Sequence, residues 1–178
     1  MKLLEAQRLL QSMARDGRTV FTTGDLARLF CEPRSAPRLN GTLVRLVDQG
    51  ILVRPTRGVY VFADAAGDAV LHNIASAARR GLTNVESYET ALSRWGYISQ
   101  TYPRLLTVAT TGREGMIRSP WGTVELIHTS AEPDALLAHT VPREGLLPLM
   151  DAETSLRFAT RARRKALDLV REMEGGWR

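Results

Sequence analysis

Cysteine is nearly absent from this chain of 178 residues: Cys31 stands alone. One thiol can form neither an internal disulfide nor a cysteine zinc cluster, and that scarcity fits the reducing cytoplasm. Long apolar runs are missing too. A membrane helix needs roughly 18 uncharged apolar residues in a row, and the sequence offers none. The opening MKLLEAQRLLQSMARDG is broken by Glu5, Gln7 and Arg8. A secretory leader requires an uninterrupted apolar segment there, so the stretch reads as a structural helix. The histidines, His72, His128 and His139, show no ligand spacing and no neighbouring cysteine, which argues against a metal site. There is no glycine-rich phosphate loop, nucleophile elbow or H-E-x-x-H. Ser93, Ser99 and Cys31 have no sequence-level partners suggesting a triad. The expectation is a protein that is not an enzyme, with no catalytic residue, no metal and no cofactor.

Lysine is also scarce, Lys2 and Lys165 being the two exceptions among 24 basic residues. The charge that is present is unevenly placed. Residues 1–62 hold ten basic and five acidic side chains, a net of +5 that equals the excess of the whole chain. Residues 63–150 are net −2, with seven basic and nine acidic, and residues 151–178 net +2, with seven and five. A basic module ahead of a near-neutral remainder is the footprint of nucleic-acid binding.

The order of elements in the basic part is informative. Leu3, Ala6, Leu10 and Met13 recur at helical spacing, predicting a helix over 2–16 that stops at Asp16-Gly17. A short β-prone run, 18–22, follows, and Thr22 or Thr23 can cap a helix GDLARLF with Asp25 near its positive end. Pro33 makes 31–35 a turn. Ser35 is a good cap for the next helix, which tolerates Pro37 in its first turn and ends at Gly50. Two β-rich runs, Ile51–Val53 and Val59–Phe62, flank a Pro-Thr-Arg-Gly turn and predict a hairpin. Helix, strand, helix, turn, helix, hairpin is the order of a winged helix-turn-helix.

The fold class expected is α+β: a winged helix-turn-helix DNA-binding domain over 1–62, a linker over 63–68, and a small mixed α/β domain over 69–178. In the latter, helices are predicted over 68–80 and 87–95, the second with Ser87 as cap and an apolar stripe of Tyr88, Ala91, Leu92 and Trp95. Strands are predicted over 105–111 and 116–130, the latter bending at 119–122. Asp151 caps a final helix that runs to Gly175-Gly176.

On the helix 36–49, Leu39, Leu43, Leu46 and Val47 share the inner face. Arg38, Gly41 and Arg45 face outward, with Asn40 and Thr42 on the flanks and Arg34 and Ser35 in the turn before. Arginine binds guanine bidentately, asparagine binds adenine, and a threonine methyl can touch thymine. Glycine lets the backbone come close. Arg54 and Arg57 at the hairpin tip suit a phosphate backbone or a minor groove. A second basic surface is offered by Arg157, Arg161, Arg163, Arg164 and Lys165 on the last helix, opposite a stripe of Ala159, Ala162, Ala166, Leu169 and Met173. A solvated face is the ordinary role of such a run, and a phosphate or RNA surface is the sharper one.

The stretch from Asn84 to Gln100 resembles the signature S-x-x-x-A-L-x-x-x-G-L-I-S/T-Q of AbiEi-family antitoxins through Ser87, Ala91, Leu92, Gly96, Ile98, Ser99 and Gln100, with Tyr97 in place of leucine. Leu106–Thr111 resembles the family's V-x-V-A-T strand, and Gly122–His128 the strand after it. Ala152–Leu156 resembles a helix start, and Arg57–Tyr60 the end of the wing. The resemblance implies an antitoxin of a type IV toxin–antitoxin or abortive-infection module. It would repress its own operon by binding inverted repeats in its promoter DNA. Its functional partner would be a nucleotidyltransferase-like toxin, neutralised through the C-terminal domain without a stable complex. No membrane association is implied, and the chain would act as a monomer or weak dimer, with cooperation on DNA left open. The alternative is a protein- or RNA-interaction module that uses the winged helix as a scaffold, because fold does not fix function.

Overall fold

The spacing of Leu3, Ala6, Leu10 and Met13 produces helix α1 (Leu3–Arg15), which buries Ala6 and Leu10. The computed structural model describes residues 3–98 and 104–162. The fold is α+β, in two units, Met1–Ala78 and Arg79–Arg178. Among the described residues no helix is long and apolar enough to cross a membrane.

In the first unit β1 (Val20–Thr22) leads into α2 (Thr23–Leu29) and α3 (Pro37–Asp48), followed by β2 (Leu52–Thr56) and β3 (Val59–Phe62). The strands form an antiparallel sheet in the order β1-β3-β2. Phe21, Tyr60, Phe62 and Leu52 pack with Leu10, Leu26, Leu39, Leu43 and Leu46 of the helices. Successive strand side chains point to opposite faces, so Val59 and Val61 turn away from that core. They are nonetheless buried, because α4 (Val70–Ala78) lies against β1 and β3. The sheet is thus covered on both faces. The division between units falls after Ala78, and α4, read from the sequence as part of the second domain, packs with the first. The stretch read as a linker contains one turn of 3₁₀ helix, Ala63–Ala65.

The end of α2 is built on an unusual residue. Cys31 takes φ +53°, its N–H donates to Arg28 O at 3.1 Å, and the Glu32 N–H donates to Ala27 O at 2.9 Å. These two bonds are the pair that closes a helix on a left-handed residue, a place glycine usually takes. The expected cap Ser35 is displaced. Pro37 opens α3, which makes Ala36 the cap residue, and no side chain satisfies that end.

The second unit holds a six-stranded mixed sheet in the order β6-β7-β5-β4-β9-β8. Its strands are β4 (Asn84–Glu86), β5 (Leu105–Thr110), β6 (Gly115–Ser119), β7 (Gly122–His128), β8 (Thr140–Val141) and β9 (Leu149–Met150). The run 116–130 is a hairpin rather than one bent strand. Its turn depends on Gly122, at φ +141°, where a Cβ would come within 2.3 Å of Arg104 O. Helices α5 (Tyr88–Arg94) and α7 (Ala152–Arg161) pack on each other. Their core includes Val85, Leu92, Ala109, Met150 and Ala159. Helix α6 (Pro133–Leu137), β4, β8 and β9 have no counterpart in the sequence reading. Trp95, placed by the reading in the apolar stripe, is 42% exposed, with its indole N–H donating to Met150 O at 2.8 Å. Arg163, Arg164, Lys165 and the remaining residues expected in the final helix lie outside the described residues.

Asp151 caps α7 as expected, its Oδ1 accepting from the Thr154 N–H at 2.6 Å, and its Oδ2 is 3.3 Å from His139 Nδ1. Partial burial pushes its carboxyl up, but the Thr154 hydrogen bonds and the charge of His139 outweigh this and hold it below the ordinary aspartate value. A carboxyl lowered in the folded state contributes stability above its unfolded value that is lost as acid protonates it. Asp151→Ala is therefore expected to cost about 1 kcal/mol near neutral pH. The deficit should fade as the pH falls through the carboxylate range. All three tryptophans follow residue 78, so denaturant melts read by tryptophan fluorescence across that range report on this unit.

Cys31→Gly supplies the second test. A left-handed conformation costs a non-glycine residue roughly 1–2 kcal/mol, against roughly 0.5–1 kcal/mol for glycine's extra unfolded-state freedom. A net gain of about 0.5 kcal/mol and a rise of about 1–2 °C in Tm are expected in thermal melts followed by circular dichroism. A lower Tm would show that the thiol contributes packing the geometry does not reveal.

Candidate nucleic-acid interface

The turn and hairpin arginines come together through tertiary structure. The Thr22 hydroxyl accepts from the Asp25 N–H at 3.2 Å, and the Asp25 carboxylate accepts from the Thr22 N–H at 2.8 Å. This reciprocal cap fixes the start of α2 against β1. Next to it, the Thr23 N–H donates to Gly58 O at 3.0 Å, which ties the hairpin turn to α2. Gly58 sits at φ +79°, a conformation that side chains resist.

Pairing of β2 with β3 slips between Val53 and Thr56, so that Arg54 and Pro55 together face Tyr60. Such a bulge re-aims side chains. Here the Arg54 guanidinium lies over the Tyr60 ring, 5.7 Å from its centroid, within cation–π range. An open cleft of about 490 Å³ separates α3 from the hairpin, and Arg34, Asn40, Arg54 and Arg57 all line it, with Tyr60 also in the wall. No carboxylate is among its lining residues. Four of the predicted residues thus converge, from the turn before α3, from α3 itself and from both parts of the hairpin.

The others are distributed differently. Arg38 lies on the far flank of α3, largely exposed, with Nη1 3.6 Å from Glu32 Oε1. Arg45 folds back along the helix: Nε donates to Gly41 O at 3.2 Å and Nη2 to the Thr42 hydroxyl at 3.4 Å. Thr42, expected on the flank, is buried. It stands three residues after Leu39 and four before Leu46, which places it on the inner face, and it holds Arg45 instead of facing outward. Gly41 and Ser35 are exposed. Of the second basic surface, Arg157 and Arg161 are exposed on α7, Arg157 donating to the Thr154 hydroxyl at 3.1 Å.

The cleft itself was not legible in the sequence. The bulge that turns Arg54 inward carries one signal, Pro55, which withholds an N–H from the ladder. Val44, half exposed on α3, is a further surface residue, and its apolar side chain carries no sequence signal of an interface. Among the described residues no group of three His, Cys, Asp or Glu could hold a metal ion.

Comparison with known proteins adds to this geometry. The crystal structure of the RV2827C protein from Mycobacterium tuberculosis is similar in fold, with a TM-score of 0.51 and 19% sequence identity. The likeness covers 93% of this chain and 54% of that one, so the chain spans about half the length of that protein. Comparison with curated proteins gave no match. The stretch from Asn84 to Leu156, where most of the resemblance to AbiEi antitoxins was read, lies outside the family match. That match begins within α1, takes in α2, α3 and the hairpin, and ends one residue after β3. The family that this chain matches, over residues 8–63, is the one described as transcriptional regulator, AbiEi antitoxin.

Proposed function

We propose that the first unit is a winged helix-turn-helix that grips duplex DNA, and that the chain is an autorepressor and antitoxin of a type IV toxin–antitoxin module. The observation that carries the DNA reading is the cleft lined by Arg34, Arg54, Arg57 and Asn40 without a carboxylate. A phosphodiester strand is a polyanion of matching chemistry. With α3 in the major groove, the hairpin acts as a wing lying along the backbone, and the strand between them passes through the cleft. The start of α3, which no side chain caps, adds a positive dipole end beside Arg34. Arg38 and Asn40, on opposite flanks of the same helix, face bases from either side. Arg38 must leave Glu32 to do so, at a cost of about 1 kcal/mol or less for a long pair at the surface whose arginine is largely exposed.

The antitoxin role follows the family match, and the family resemblance gives the rest. The operator is an inverted repeat in the chain's own promoter, and the partner is a nucleotidyltransferase-like toxin neutralised by the second unit without a stable complex. The chain acts there as a monomer or weak dimer.

Arg57→Ala is expected to weaken binding to the promoter duplex and to random duplex alike. It should flatten the slope of log affinity against log salt by about one, the signature of a lost phosphate contact. Arg38→Ala and Asn40→Ala should each cost about 1–3 kcal/mol on the promoter duplex and far less on random sequence. Fluorescence anisotropy titrations over a salt series measure both effects. An unchanged slope removes Arg57 from the interface, and promoter affinity equal to wild type in both α3 variants overturns the placement of the helix.

A further inference from the structure

The centre of the outward face of α3 is not charged. Leu39, Thr42, Leu43 and Leu46 are buried, and at 3.6 residues per turn the direction opposite them is held by Pro37, Gly41, Val44 and Asp48. Arg45 and Asn40 fall to either side. Val44 is 50% exposed, an apolar side chain where the surface would ordinarily be polar. Gly41, three residues before it, faces open space: a Cβ built there would meet nothing within 4 Å. Helical side chains lean toward the N-terminus, so the Val44 methyls lean over a patch where the backbone has no side chain of its own. One turn later comes the exposed carboxylate of Asp48, which phosphates would repel. The part of α3 able to approach DNA closely is therefore its first two turns, and at their end the outward line presents an isopropyl group beside a position with no side chain.

We infer that Val44 is a specificity-determining residue that reads the 5-methyl group of a thymine. Valine has no hydrogen-bonding atom. Among the base edges displayed in the major groove, the thymine methyl is the apolar feature it can recognise. Gly41 lets the helix axis come near enough for that contact. Asn40, exposed on one flank, has polar reach toward a neighbouring base, while Arg45 on the other is held along the helix by Gly41 O and the Thr42 hydroxyl. The inference rests on the reading of α3 as the helix that enters the major groove, and it adds the base chemistry at the middle of the contact.

Deoxyuridine differs from thymidine by that methyl alone, which makes the test direct. The wild-type chain is used to select its preferred duplex from a random-sequence library, and each thymine of that duplex is then replaced singly by deoxyuridine. At one position the wild type is expected to bind about fourfold more weakly, the value of one buried methyl-sized group. Val44→Ala should bind the parent duplex more weakly and be indifferent to the substitution at that position. Failure to select any sequence overturns the DNA reading and this inference together. A selected duplex whose thymines can all be replaced without loss overturns the role of Val44 and leaves the DNA reading standing. So does a uracil-sensitive position whose sensitivity persists in Val44→Ala.

Discussion

A single carboxylate, that of Asp25, organises the first unit. It is buried and accepts from both the N–H and the hydroxyl of Thr22 at 2.8 Å. Its other oxygen lies 2.8 Å from Arg18 Nη2. An ionised group taken from water needs such partners, because burying it unpaired costs several kcal/mol. Thr22 belongs to β1, which pairs with β3, and β3 carries β2 on its other side. Thr23, the next residue, holds Gly58 in the hairpin turn. The start of α2, the order of the sheet and the position of the hairpin tip are thus fixed at one junction. The spacing between α3 and the hairpin arginines inherits its dimensions from that junction.

The second unit repeats the principle with a different charge. Glu86 is completely buried in β4, paired with Arg94 Nε at 2.6 Å and with the Arg143 guanidinium. Arg143 also donates to Leu147 O at 2.7 Å. One carboxylate therefore links the middle of the sheet, the end of α5 and the turn before β9. Removing either cation would leave a charge with too few partners in a dry site, whereas the paired arrangement selects one register for short strands that have little apolar area to specify it.

What the sequence disclosed and what it hid divide along the same line. Strong apolar periodicity made α1 and α3 readable, and the caps at Thr22 and Asp151 were legible because a side-chain oxygen two or three residues ahead of an N–H is a local matter. Strand β4 was hidden because two of its residues, Asn84 and Glu86, are polar, and part of what satisfies them is remote in sequence. Asn84, for example, accepts from the Thr110 hydroxyl at 2.7 Å. Thr42 was misplaced because its polarity suggested an outward flank, while its position between Leu39 and Leu46 fixed it inside. Ser35 lost its expected role as a cap to Pro37, whose fixed φ begins the helix one residue later. The arginines of the interface were legible one by one. Their meeting in a cleft depends on a bulge, for which Pro55 is the one local sign, and on Thr23–Gly58, which joins residues more than thirty positions apart and which nothing local encodes.

The slip in pairing between Val53 and Thr56 has a bearing beyond the aim of Arg54. Strand β2 is the outer strand of the hairpin and an edge of its sheet, and an edge displays unpaired backbone groups to any passing chain. Pro55 carries no N–H, and the bulge twists the backbone groups of this strand out of line. Natural sheets use both devices against edge-to-edge pairing. Two copies aligned side by side along β2 would meet an interrupted ladder. The hairpin is thereby protected against polymerising through strand addition, even at high local concentration.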